Sequence, residues 1–179
     1  GFPLTVMQLL WINIISDIFP GLALSMEDPE PDILERPPRD SRAELFSGKD
    51  FKRMAFDAGA ITTGSLTAYA FGLRRYGPGR QATSLAFQSL TIAQLLNAFS
   101  CRSQTQSFFE GYDLPPNPYL NVSIIGSLAL QGLTIWFPPI RRLLGVAPLG
   151  LVDLGVIGAT SILSLAAIES AKTSRVKTP

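Results

Sequence analysis

Residues 4–26, LTVMQLLWINIISDIFPGLALSM, carry one charge, Asp17. About 20 helical residues cross a hydrocarbon core of roughly 30 Å, and lipid offers no partner to an unpaired backbone group. A stretch of this kind commits the chain to a transmembrane helix. Four more follow, at about 54–73, 84–100, 119–137 and 149–168. The spacing predicts an all-α, multi-pass transmembrane bundle of five spans, a single domain over 1–179. Its long connector, 27–53, is charged and Pro-rich.

The charge distribution supports this. Residues 27–53 hold 14 charges, whereas 82–100 and 117–140 hold none. Charged residues are 16% of the chain, below the roughly 25% of soluble domains. Glycine, serine and threonine recur within the apolar stretches, as in Gly59, Gly64, Gly126, Gly155 and Gly158, and small residues let helices approach closely in lipid. The expected partner of the surface is therefore the lipid bilayer. A net charge of +1 gives no basic field, so no nucleic acid is expected to bind. One cysteine, Cys101, and no histidine exclude a disulfide framework, His-based catalysis and His-ligated zinc. The chain starts at Gly1 inside an apolar run, so it is expected to be a piece of something longer, and no cleavable signal is visible.

Lysine and arginine set the expected orientation. The segments 27–53, 101–116 and 169–179 hold ten between them, and 74–81 with 141–145 hold five. The richer side faces the cytoplasm by the positive-inside rule, which puts the C-terminus there. Arg74, Arg75 and Arg80 pull the other way. The stretch DPEPDILERPPR (28–39) reads as a stiff, extended connector.

An ionisable residue in mid-span is costly and by default marks a functional site. Asn13, Ser16 and Asp17 stand at i, i+3 and i+4, one helical face. Pro20 lacks an N–H and crowds the carbonyl four residues back, that of Ser16. Carboxylate, amide, hydroxyl and a released carbonyl form an all-oxygen set suited to a hard cation, and unwound helix at mid-membrane is a common way to build such a site. The alternative, a kinked structural helix whose Asp17 pairs with a buried Lys or Arg, finds no such partner in the other four stretches. Gln94, in the third stretch, is either a ligand or a helix-bridging hydrogen bonder. Asp57, Asp153 and Glu169 lie near span ends, where they are expected to reach headgroups or cap helices. Trp136 is placed as an interface anchor.

The run QLLWINIISDIFPGLALSMEDPEPDILERPPRD (8–40) strongly resembles the sixth transmembrane helix and following loop of P-type cation-transporting ATPases, the calcium-pump-like branch above all. LLNAFSCRSQTQSFF (95–109) is similar to the end of that family's eighth helix, and the regions 120–139 and 148–153 to its ninth and tenth. The resemblance implies that the five spans are the family's sixth to tenth helices, with a cytoplasmic C-terminus. It implies cation ligation by Asn13 and Asp17, with Ser16 where the family often has a ligating Thr. Gln94 stands where two-site calcium pumps have a Glu, so one ion site is implied more readily than two. The transported cation it implies is calcium. No D-K-T-G-T, T-G-E-S or G-D-G-x-N motif and no Gly-rich P-loop is present. The resemblance therefore implies no catalytic and no cofactor-binding residues here. ATP and magnesium would act only through domains outside this chain, and the main partner would be the upstream half of the same pump. Two other readings stay open: a non-catalytic membrane subunit or remnant that binds partner helices, and an oligomeric passive cation channel.

Overall fold

The computed structural model describes residues 4–27, 48–102 and 116–176. The connector motif 28–39 and most of the 101–109 loop lie outside these residues. Seven α-helices and one π-helical segment make up the described architecture, with no strand among the described residues. They are α1 (Val6–Ile12), the π segment (Asn13–Ile18), α2 (Phe19–Leu24), α3 (Gly48–Tyr76), α4 (Arg80–Ser100), α5 (Pro118–Trp136), α6 (Pro138–Leu143) and α7 (Leu151–Val176).

Local sequence explains the ends. Thr5 and Gln8 form a capping box at α1, the hydroxyl accepting from Gln8 N at 3.2 Å and Gln8 Oε1 from Thr5 N at 2.9 Å. Asn117 caps α5 through Oδ1, which accepts from Leu120 N at 2.9 Å, and Pro118 follows at the first helical position, where a missing N–H costs nothing. Helix α5 ends at Trp136, close to the expected end of the fourth apolar stretch at about 137, and Pro138 starts the short α6, which was not expected. Gly77 and Gly145 turn the chain after α3 and α6 at φ +76° and +67°, conformations that favour glycine.

Helix α4 is the hub. It contributes to each of four buried clusters, through Phe87, Ala98, Ala93 and Leu85 respectively. It packs most extensively on α3 and α7, which also pack on each other. Close approach is visible at Gly72, where an added Cβ would lie 2.7 Å from Ala82 Cα. Polar side chains join the helices: Gln88 Nε2 donates to Thr134 Oγ1 at 2.6 Å, and Gln131 Nε2 to Gln88 Oε1 at 2.8 Å. Ser65 donates to the Ala86 carbonyl at 3.0 Å, and Ser89 and Thr160 share a bond of 2.9 Å. Where lipid would supply no drive between apolar surfaces, such bonds and tight small-residue contacts hold helices together.

Several large apolar side chains of α1, α5 and α7 turn outward, among them Val6, Val122, Leu151 and Leu163. Among the described residues three helical stretches are long and apolar enough to cross a membrane: Val6–Leu24, Pro118–Trp136 and Leu151–Lys172. Helices α3 and α4, 29 and 21 residues long, have the length but not the same apolarity. For α4 the reason is plain, since its polar Ser84, Gln88, Ser89 and Thr91 are buried inside the bundle.

Candidate functional site

The chain does not unwind at Pro20. It widens into π-helix over Asn13–Ile18 and resumes α-helix at Phe19, which differs from the break expected of this proline. A π turn pairs residues five apart, so the pattern lost at proline is absorbed one turn earlier without opening the helix. The Ile15 carbonyl within this segment accepts from Ser127 Oγ of α5 at 3.1 Å.

Widening also changes which residues share a face. Ser16 is buried at 8% exposure, while Asn13 and Asp17 are exposed. Ser16, Asp17 and Gln94 line one cavity of about 550 Å³ between the first helix, α3 and α4. Asn13 does not line it. The sequence-predicted residues are thus brought together in part.

Within the cavity the Ser16 hydroxyl lies 2.8 Å from the Ile12 carbonyl, 3.1 Å from Asp17 Oδ1 and 3.0 Å from Gln94 Oε1. A hydroxyl has one proton, so it satisfies one of these three acceptors at a time. Asn97 lies one turn beyond Gln94, also on the cavity wall, with Oδ1 buried and without a hydrogen-bond donor. Asp57 of α3 lines the same space, as does Arg53. Ser16, Asp17, Asp57, Gln94 and Asn97 therefore bring oxygens to one space, the ligand type a hard cation takes, and Arg53 brings a positive charge to the same wall. Among the described residues no three His, Cys, Asp or Glu converge. Any cation held here depends on amide and hydroxyl oxygens beside at most two carboxylates.

Asp57 and Asn97 were the residues that sequence reasoning missed as wall members. Asn97 was legible in principle, standing three residues after Gln94 on the same helical face. Asp57 required knowing how α3 packs against α4.

Two polar clusters fix the helix ends on the side of Glu27. Arg102 grips Glu27 through Nε at 3.0 and 3.2 Å and through Nη2 at 2.5 Å. Asn117 Nδ2 donates to Glu27 Oε2 at 2.6 Å and to the Ala23 carbonyl at 3.1 Å. Burial alone would raise the Glu27 pKa, but the bonds from Arg102 and Asn117 and the Arg102 charge outweigh it and hold the carboxyl below its ordinary range. The clamp joins the ends of α2, α4 and α5. In the second cluster Glu169 is 1% exposed and Lys172 5%. Glu169 Oε1 accepts from Ser100 Oγ at 2.5 Å and from Lys172 Nζ at 3.0 Å, and Lys172 also donates to the Ser100 carbonyl. Glu169 is therefore an interior ion-pair member, not a residue reaching headgroups. At the other end Asp153 does cap, accepting from Gly150 N at 2.8 Å, and it takes the Tyr76 hydroxyl at 2.8 Å besides. Trp136 is 75% exposed, while Trp11 Nε1 donates to Gln131 Oε1 at 2.9 Å.

Comparison with known proteins gives a consistent result. The family described as "Cation transporting ATPase, C-terminus" matches residues 1–173. A human relative, "Calcium-transporting ATPase type 2C member 1", is 32% identical over 178 residues, 98% of this chain and 19% of the relative. "Calcium-transporting ATPase 1" of Bacillus cereus is 30% identical, covering 97% of this chain and 21% of that protein. The Schizosaccharomyces pombe protein of the same name is 29% identical over 155 residues, 87% and 17% respectively. The chain spans about a fifth of the length of these curated relatives.

Proposed function

Because the chain belongs to the family of cation-transporting ATPase C-terminal regions, we propose that it is the C-terminal membrane part of an ATP-driven P-type cation pump and builds part of the transported cation's site. The observation that carries the reading is the oxygen-rich cavity in which Ser16, Asp17 and Gln94 meet. Calcium is the favoured cargo, supported by the names of the relatives, which are calcium-transporting ATPases, and by the oxygen side chains of the lining.

In this reading Asp17 supplies the charge, and Ser16 and Gln94 supply neutral oxygens. Asn13, outside the cavity, contributes from the adjoining exposed face. Calcium takes six to eight oxygens, more than these residues provide. The remainder comes from the upstream half of the same pump, packed against the exposed side of Asn13 and Asp17. Helices α3 and α4 complete a set of five spans with the three more apolar stretches, equivalent to the family's sixth to tenth helices. The C-terminus then lies in the cytoplasm, with Glu27 and Arg102 on that side. ATP and magnesium act in the domains outside this chain, and their chemistry reaches the site as helix movement.

The π segment suits such a site, since π turns recur at functional positions and leave backbone pairing adjustable. The test is ATP-dependent uptake of radioactive calcium into vesicles by the full-length protein that carries this segment. Uptake that is lost in Asp17→Asn, with ATP binding intact, is the expected result. Unchanged uptake in that variant would overturn the assignment.

A further inference from the structure

At the opposite end of the bundle from Glu27, Arg80, Arg141 and Arg142 line one cavity of about 400 Å³ with Gln81. Arg80 opens α4, and the other two lie in the last turn of α6. Hydrogen bonds tie their scaffold together. Arg80 Nε donates to the Gly145 carbonyl at 3.2 Å, and Val146 N donates to the Arg141 carbonyl at 2.9 Å. Ser84 Oγ donates to the Arg80 carbonyl at 2.6 Å and accepts from Ala147 N at 2.8 Å. These bonds fasten the turn after α6 to the first turn of α4.

The charges around this cavity are not balanced. Among the described residues, ion pairs join Arg102 to Glu27 and Lys172 to Glu169, at the other end. The acid closest in the chain, Asp153, is 1% exposed and held by Tyr76 and Gly150. Three arginines lining one space bring like charges together, a repulsion that a bound anion relieves. Arginine forks match phosphate oxygens two at a time. The first turn of α4 has no side-chain cap, so its amide groups add positive character to the same spot. Trp136 and Leu143, 75% and 62% exposed, bracket α6 with surface suited to the level of lipid headgroups. The site also gives a role to three of the five arginines, Arg80, Arg141 and Arg142, on the side that the positive-inside pattern leaves poorer.

We propose that this arginine-lined cavity binds the phosphate of an anionic phospholipid. The inference needs the chain to lie in a bilayer, and it stands whether or not Asp17 binds a cation. The phosphate chemistry is shared with free phosphate in solution, so the test separates the two sources.

The full-length protein is reconstituted in phosphatidylcholine nanodiscs with spin-labelled phosphatidic acid as probe, and with spin-labelled phosphatidylcholine as reference. The expected result is preferential immobilisation of phosphatidic acid, weakened about fivefold for each arginine replaced. The combined variant Arg80→Gln, Arg141→Gln, Arg142→Gln removes the preference, and Arg74→Gln retains it. Displacement of the probe by inorganic phosphate shows that the site also takes the free ion. Failure to displace it shows that the lipid is required, and both results support the proposal. No preference in the wild type overturns it, as does an undiminished preference in the combined variant or an equal loss in Arg74→Gln. If the combined variant does not fold, Arg142→Gln alone, at an exposed position, decides by the same fivefold reduction or its absence.

Discussion

Replacing Lys172 by methionine removes the ammonium that pairs with Glu169 inside the bundle. The pair is enclosed on both sides, with exposures of 1% and 5%, so solvent screening does little for the remaining charge. Breaking a buried pair from one side costs about 3–5 kcal/mol. Glu169 keeps the Ser100 hydroxyl at 2.5 Å, which places Lys172→Met near the lower figure, about 3 kcal/mol. Lys172 also donates to the Ser100 carbonyl at the end of α4, where a cation offsets the helix dipole. For a domain of this size, the loss corresponds to a fall in unfolding midpoint of about 6–12 °C. The double variant Glu169→Gln, Lys172→Met removes the charge altogether and is expected to recover most of that, because neutral replacement of a buried pair is often nearly free. Thermal unfolding followed by intrinsic fluorescence in detergent reads both. A midpoint for Lys172→Met within about 2 °C of wild type, or a double variant no better than the single, refutes the reasoning.

Other perturbations follow from the same packing. Gly72→Val puts a side chain against Ala82 and Leu85, where a Cβ alone would stand 2.7 and 2.9 Å from their atoms; overpacking there costs about 1–3 kcal/mol or more, whereas Gly59→Ala, with nothing within 4 Å, leaves the melting midpoint unchanged or slightly raised. The Glu27 carboxyl has a folded pKa below its unfolded value, so its stabilisation is fully present above the ordinary carboxylate range and disappears as pH falls through the lowered folded value. Glu27→Gln should therefore flatten the acid side of a stability-versus-pH curve and leave its neutral side lower. Gln131→Leu unpairs Gln88 Oε1 and Trp11 Nε1, at a cost of about 1–3 kcal/mol in the same melting assay.

Much of the fold was legible because lipid forces a simple code. Helices occupy all five apolar stretches, and Pro118, Pro138 and the Thr5–Gln8 box mark ends as their chemistry requires. Less legible was what happens inside a stretch. Residue spacing put Asn13, Ser16 and Asp17 on one face by assuming 3.6 residues per turn, and the π segment between Asn13 and Ile18 breaks that assumption. The link from Ser16 to Gln94 spans 78 positions and depends on α4 crossing the first helix, which no local pattern encodes. Glu169 and Lys172 lay beyond the apolar stretch ending at 168, so their burial appears only once α7 is seen to continue to Val176.

The central claim is that Asp17, with Ser16 and Gln94 beside it, holds the transported cation. Equilibrium binding of radioactive calcium to the full-length protein in nanodiscs tests this most directly, with wild type compared with Asp17→Asn and Gln94→Ala. The account predicts saturable binding in the wild type, its loss in Asp17→Asn, and weakened but measurable binding in Gln94→Ala. Binding to a correctly folded Asp17→Asn protein with wild-type affinity would contradict it.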